Sequence, residues 1–595
     1  MALFGRARTK KREREREAVH RALLDLRQRG RQQGADAVVA ESWQLMSHCF
    51  AELGRGDEEY APLLVETART SFGLHALCGQ WFPATCSALN FCTAVAFVES
   101  RCTSLALPFP EDLLPGVQVM LDTSLDVAHR AGIPLAACII AEALATMQLG
   151  ARTRAREMSA VLGGEDALRR LQAIRRSQQE TIARESREPA VSVDGVAALR
   201  SQADAMLLQD LTDVIDGSQR WPLHAGATVA PAVLAASLTG RSVVYVVPGA
   251  GAGTAVRLEA TETGRTLCES IALPLLGLDA VRVQAKRVRD VLNSGERRPR
   301  LRDLAARSVF EAVAASVWRP VLDAWPDLEG GRVAIIPVGE SALLPLFTTP
   351  VDGVPVCART DLTVVPSGRA LMFAGTWPRS TRTRRKTLVV ADPWYHDGAG
   401  GVPIKMAVSE AREVAALHGV DPVILHDPDP GAGTGQAPQR AADPLPAAVP
   451  GGLVARIADA DLIHLAGHGI LDLEAPLNST LLLGRPTPLS ALLPRDLRRG
   501  ATVVLSARHL AGLGTARSAE QADLPASVLA MGASSVIAAL WPVPDVDKTK
   551  LLMTHLHEEL QRNTPPSVAA GRAVARLAQE RNTAHIWGPL THFGA

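Results

Sequence analysis

Two histidines stand four residues apart in Asp461-Leu-Ile-His-Leu-Ala-Gly-His-Gly469. At that spacing on a helix, His464 and His468 would share one face and could ligate zinc. The residues between them are Leu-Ala-Gly, without the glutamate of a metalloprotease helix, and no third ligand is evident. The apolar run reads instead as a buried strand with His468 and Gly469 at its end. A second candidate, Gly249-Ala-Gly-Ala-Gly253, follows an apolar strand as a phosphate-cradling turn would. A dinucleotide fingerprint needs a helix next and an acidic residue about 20 positions on. Val256 to Ala260 reads as a second strand, so the glycines are expected to turn a hairpin. Neither a metal nor a cofactor is expected.

The elements around these residues change character along the chain. Residues 1–195 read as helical, with apolar residues at helical spacing in Ala18 to Arg29, Ala35 to Leu53, Glu58 to Thr70 and Gly116 to Ala131. The turns at Leu53 to Asp57 and Leu125 to Gly132 resemble tetratricopeptide turns, yet no 34-residue period is present. A degenerate repeat array and an irregular bundle both fit. Residues 196–240 read as a helical linker. From Ser242 onward short β-rich runs alternate with amphipathic segments. The strands are Val243 to Val247, Val333 to Pro337, Leu362 to Val365, Leu388 to Ala391, Asp461 to Ala466, Leu481 to Gly484, Thr502 to Ala507 and Ser534 to Leu540. Such alternation predicts an α/β domain over 241–595, with a mostly parallel sheet covered by helices on both faces. Residues 427–450, rich in Pro, Gly and Ala, are expected to form a flexible loop within it.

Composition sets the class. A chain of 595 residues exceeds one ordinary core, and 47% apolar with 21% charged residues is that of a soluble globular protein. A net charge of +1 gives no global field for nucleic acid or an anionic membrane. The first 34 residues hold eleven Lys/Arg against four Asp/Glu, but Arg12-Glu-Arg-Glu-Arg-Glu17 alternates in sign and suits a solvated helix start. A nucleic-acid partner is not expected. Met1 to Arg16 is charged where a signal peptide would be apolar, and no uninterrupted apolar stretch approaches about 20 residues. The expectation is a cytoplasmic protein without a membrane span. Eight cysteines include no CxxC pair, and six lie in the first 140 residues at apolar positions, as small buried hydrophobes do.

Several motifs occur in a fixed order: Ile335-Ile-Pro-Val-Gly339 with Leu344-Pro-Leu346, Val364-Val-Pro-Ser367, Glu410-Ala-Arg-Glu-Val414, the His464/His468 segment, and Ser479-Thr-Leu-Leu-Leu-Gly484. Ala501-Thr-Val-Val-Leu-Ser-Ala-Arg508, Met531 to Asp545 and Trp587-Gly-Pro-Leu590 complete the set. Together, over roughly 240–595, they resemble the CHAT domain, a caspase- and separase-related peptidase fold often attached to tetratricopeptide repeats.

The resemblance implies roles. The histidine of His-Gly is that family's acid/base, the cysteine of Ser-Ala-Cys its nucleophile, and both stand at the C-terminal ends of neighbouring parallel strands. By position these are His468 and Arg508, with the Gly469 N–H as the oxyanion donor. Glu520 and Asp523 fall where active relatives often carry an acidic patch that reads a basic substrate residue. Arg508 decides the chemistry. A thiolate is nucleophilic near neutral pH, whereas a guanidinium stays protonated and cannot form an acyl-enzyme. Its charge would also lower the pKa of a neighbouring His468. Ser506, two residues upstream, accompanies the cysteine in the family and would need a base of its own. An ion pair from Arg508 to Glu520 or Asp523 would plug the old subsite from within.

Three functions are compatible with these residues. One is a pseudo-peptidase acting as a scaffold, sensor or regulator on a protein or peptide partner. The family adds a setting in bacterial defence or cell death, with an active protease or effector encoded nearby. The second is a peptidase whose cysteine is missing in this version only. The third is a helical, repeat-type protein-binding module.

Overall fold

The structure, a computed structural model, describes residues 2–54, 60–104, parts of 120–145, 240–249, 251–260, 266–293, 299–368, 370–372, 385–391, 405–425, 451–470, 480–483, 485–488, 500–510 and most of 525–594. The chain divides into two units, Met1–Thr228 and Val229–Ala595. The 427–450 segment and residues 196–239 lie outside the described residues.

The first unit is helical where it is described: α1 (Ala2–Gln33), α2 (Val39–Gly54), α3 (Ala61–Leu77) and α4 (Trp81–Ser104). Gly79, at φ 69°, ends α3 in the left-handed region, and the Gln80 N–H reaches back to the His75 carbonyl at 2.9 Å. Leu23 and Leu26 of α1, Met46 and Cys49 of α2, and Leu64 and Ala68 of α3 are buried at the heptad-like spacings that their apolar pattern demands. Arg27 ties α1 to α3, donating Nε to Thr70 Oγ1 at 3.0 Å and pairing with Glu66. Cys49, Cys92 and Cys138 are buried; burial pushes the Cys49 thiol up to about 11 and Cys92 to about 12. No helix among the described residues is long and apolar enough to cross a membrane.

The second unit is built on one large sheet. Its strands are β1 (Ser242–Val247), β2 (Gly253–Ala260), β3 (Thr266–Leu273), β4 (Arg332–Pro337), β5 (Pro350–Val351), β6 (Val354–Pro355), β7 (Asp361–Val364), β8 (Thr387–Ala391), β9 (Val423–Ile424), β10 (Leu462–Ile470), β11 (Thr480–Leu483), β12 (Arg485–Pro488), β13 (Ala501–Leu510), β14 (Ala533–Ala539) and β15 (Leu590–Gly594). The order is β12-β11-β10-β13-β14-β15-β7-β4-β1-β2-β3, with β8 joining β10 and β9, while β5 and β6 form a separate ribbon. β8, β9, β10, β13 and β14 pair in parallel, as do β1, β4, β7 and β15. Because β15 runs antiparallel to β14, these two parallel blocks point in opposite directions. The glycine turn after β1 joins it to β2 in an antiparallel hairpin, Val247 facing Thr254, as the second strand in the sequence implied.

The longer helices among the described residues are α5 (Leu278–Asn293), α6 (Pro299–Val313), α7 (Lys405–His418), α8 (Gly451–Asp459), α9 (Asp547–Gln561) and α10 (Pro566–Arg581). Strand β8 shows why both faces of the sheet must be covered. Leu388 and Val390 join the main core, whereas Val389 and Ala391 pack into a smaller core with Ala407, Ala411 and Val414 of α7. On β10, Ala466 belongs to the α7 side, so His464, two residues away, shares that face.

Candidate functional site

β10 and β13 lie side by side and parallel, from Leu462 opposite Thr502 to Gly467 opposite Ala507. The register then shifts: the next pairing is Gly469 with Leu510. One residue of β10, His468, therefore spans the same interval as two of β13, Arg508 and His509, which is the two-against-one count of a β-bulge. On its other edge His468 faces Leu482 of antiparallel β11. The backbone thus brings His468, Gly469 and Arg508 to the same end of two neighbouring strands, where parallel strands open a crevice. Ser506 sits deeper on β13 opposite Ala466 and is 5% exposed. Glu520 and Asp523 lie outside the described residues.

Four residues before His468, strand β10 is held by a line of buried polar side chains. His464 Nε2 is 3.2 Å from Glu410 Oε1 on α7. Its Nδ1 is 3.0 Å from His557 Nε2 on α9, and His557 Nδ1 is 3.0 Å from His418 Nε2 at the end of α7. His464, Glu410 and His557 are fully buried. A Glu410 carboxylate accepts from His464 Nε2–H, and each pair of facing ring nitrogens shares a single proton along the rest of the line. Burial, then the neighbouring His464, pushes the His418 ring down to about 4, with Arg385 acting the same way. Burial chiefly, with His464 and His418 after it, holds His557 well below the ordinary histidine range. The line fixes tautomers and fastens α7 and α9 to β10. Lys550 to Glu413 at 3.3 Å and Thr554 Oγ1 to Glu413 at 2.9 Å support it from the helix surface.

Sequence reading singled out His464 only as a zinc partner for His468, and its actual neighbours were missed. Facing ring nitrogens at 3.0 Å share protons and leave no room for a metal between them. Among the described residues, no group of three or more His, Cys, Asp or Glu is placed to hold a metal ion. The signal that could have found the line was Glu410, already part of a motif, and a His on each of two helices flanking the strand.

A second missed constellation joins the two strand blocks. Thr363 Oγ1 of β7 donates to the Gly594 carbonyl at 2.9 Å and lies 2.9 Å from His592 Nδ1. A hydroxyl has a single proton, so His592 Nδ1–H must donate to Thr363, leaving Nε2 to accept from the Ser535 hydroxyl of β14.

Residues 307–595 match the CHAT domain family. The match begins inside α6, so β1 to β3 precede it. No curated protein matches the chain. Two crystal structures of the Saccharomyces cerevisiae separase–securin complex, at 3.0 and 2.6 Å, resemble it at 9% sequence identity and a TM-score of 0.39 each. They cover 97% and 94% of this chain and 53% and 47% of theirs, so the chain spans about half the length of those it resembles.

Proposed function

The chain carries a CHAT domain, a peptidase-family domain, over residues 307–595, and on that premise we propose that it is a catalytically degenerate member acting as a protein-binding scaffold, sensor or regulator. The observation that carries this reading is Arg508, the residue after Ser506-Ala507 on β13 and beside His468 across the bulge. Acyl transfer needs a lone pair that a base can unmask, and a guanidinium protonated at any accessible pH offers none. A fixed cation at the end of β13 suits a different task, the capture of a carboxylate on a bound peptide or protein. The proposed setting is a bacterial defence or cell-death system, with an active protease or effector as partner.

The test compares wild type with Arg508→Cys, and with Arg508→Cys combined with His468→Ala. The readouts are peptide cleavage and labelling of residue 508 by a cysteine-directed electrophile. Wild type is expected to cleave nothing. Cleavage that appears with Arg508→Cys and vanishes with His468→Ala would mark a silenced enzyme whose base is still in place. Inactivity of every variant in a folded protein would mark a site remodelled for binding. Wild-type cleavage abolished by His468→Ala or Ser506→Ala would overturn the proposal.

A further inference from the structure

At the opposite end of strands β8 and β10 from His468, the chain forms an open depression of about 370 Å³. Leu462, where β10 starts and β8 pairs with it, is six residues from His468, or roughly 20 Å along a strand. The depression is therefore separate from the β10–β13 crevice. Arg385, Lys386, Arg456 and Asp459 line it together with the apolar Leu388, Val420 and Ala460.

Three features distinguish this basic hollow from an ordinary charged surface. The first is rigidity. The Lys386 N–H donates to Asp461 Oδ2 at 2.9 Å, and the Lys386 carbonyl accepts from the N–H groups of Asp461 and Leu462 at 2.8 and 3.2 Å. The backbone that carries two of the cations is thus fastened to the start of β10. The second is unspent charge. Half-buried Arg385 makes one hydrogen bond among the described residues, Nη1 to the Leu560 carbonyl at 3.2 Å, and no ion pair. Burial lowers its pKa, which the charge of Asp461 only partly opposes. Exposed Arg456 has neither a hydrogen bond nor an ion pair among the described residues, whereas Lys386 is ion-paired with Asp459. Holding a guanidinium half out of water with no carboxylate hydrogen-bonded to it among the described residues, and only the charge of Asp461 to offset burial, costs free energy that an anionic ligand would return. The third is adjacency: Arg385 and Lys386 are consecutive in the chain, so two of the cations share one short stretch of backbone.

We propose that this depression binds a phosphate group borne on a small, partly apolar ligand of nucleotide size. Guanidinium forks suit phosphate oxygens, and a volume of about 370 Å³ falls in the range of small-ligand pockets. The apolar lining residues give a planar or aliphatic portion a surface that a bare anion could not use. The site lies outside the CHAT crevice and would give a scaffold or sensor a small-molecule input, but its chemistry does not depend on that role.

The experiment is calorimetric titration of the full chain with ADP and, separately, with inorganic phosphate, for wild type, Arg456→Glu and the charge-matched control Arg300→Glu. Arg456 is exposed and hydrogen-bonds nothing described, so its replacement should leave the fold intact, which circular dichroism checks. ADP is expected to bind saturably and about tenfold or more tightly than phosphate. Arg456→Glu should weaken ADP about tenfold or more, while Arg300→Glu leaves it unchanged. No saturable ADP binding would overturn the proposal, as would an equal loss in both variants. Equal affinities for ADP and phosphate would overturn the apolar part of the assignment. A single-stranded oligonucleotide that binds more tightly than ADP and displaces it would overturn the small-ligand assignment in favour of an extended nucleic-acid surface.

Discussion

His464 and Glu410 are 54 residues apart in sequence, yet Nε2 of one lies 3.2 Å from Oε1 of the other with both side chains fully buried. A buried carboxylate is tolerated only where donors meet it, and a buried imidazole N–H only where an acceptor does. Each residue is therefore the condition for the other. Glu410→Gln keeps an acceptor for His464, whereas Glu410→Leu leaves a buried donor without one. The leucine variant should lose about 1–3 kcal/mol more than the glutamine variant in urea unfolding. Equal losses would mean that the His464–Glu410 contact is not what holds β10 to α7.

The histidine line also dictates a pH dependence. His418 is held down to about 4 and His557 well below the ordinary value, chiefly by burial. In the unfolded chain both return to about 6.5. Below that pH the unfolded state binds protons that the folded state refuses, so acid favours unfolding. Stability should be level above about pH 7 and fall between about 6.5 and 4, by up to about 1.4 kcal/mol per pH unit for each ring. Arg385 adds to the penalty on His418, and Glu410 meets His464 at the far end of the line. His418→Gln should flatten the slope of unfolding free energy between pH 6.5 and 5. An unchanged slope would assign the acid sensitivity elsewhere.

How far the sequence foretold this arrangement depended on the range over which each signal acts. The buried strands β1, β4, β8, β10, β13 and β14 are continuous apolar runs and were legible, as was the adjacency of β10 and β13 through their motifs. β3 was not, because its residues are mostly half-exposed at a sheet edge and its Thr-Leu-Cys-Glu-Ser-Ile-Ala-Leu lacks a clear period. β15, five residues at the chain's end, carries no strand signature and is defined by its neighbours. The opposition of the two parallel blocks follows from β15 and was equally hidden. Within the site, local spacing was not enough. The spacing of His464 and His468 was weighed for zinc and set aside, which left His464 without a role, while its partners lie 54 and 93 residues away on helices. Arg508 needed no structure to be seen, since the motif resemblance gives its position and its residue type gives its chemistry.

Gly571 in the middle of α10 tests packing against propensity. A Cβ there would lie 2.1 Å from the Cys357 carbonyl oxygen, a backbone atom that cannot swing aside. Helix propensity alone makes Gly571→Ala stabilising by about 1 kcal/mol. The clash should reverse the sign and destabilise by about 1–3 kcal/mol as α10 is pushed from the 356–359 turn. Thermal unfolding decides it: a raised midpoint would show that the helix can shift without cost.

The junction of the two strand blocks rests on His592. β7 and β15 share one paired position, Val364 with Phe593, so side chains must supplement the ladder there. His592, fully buried, does so by donating from Nδ1 to Thr363 and accepting at Nε2 from Ser535. His592→Leu fills similar space but leaves the Ser535 hydroxyl and a lone pair of Thr363 without this partner. A loss of about 1–3 kcal/mol is expected, chiefly from the Ser535 hydroxyl, since Thr363 keeps its bond to Gly594. His592→Gln offers one donor and one acceptor on a side chain of nearly the same reach, and should recover part of that loss. Ser535→Ala combined with His592→Leu should cost less than the sum of the two single changes, because the orphaned hydroxyl is removed with its partner. Strict additivity in that double-mutant cycle would show that the three side chains do not act as one latch between β14, β15 and β7.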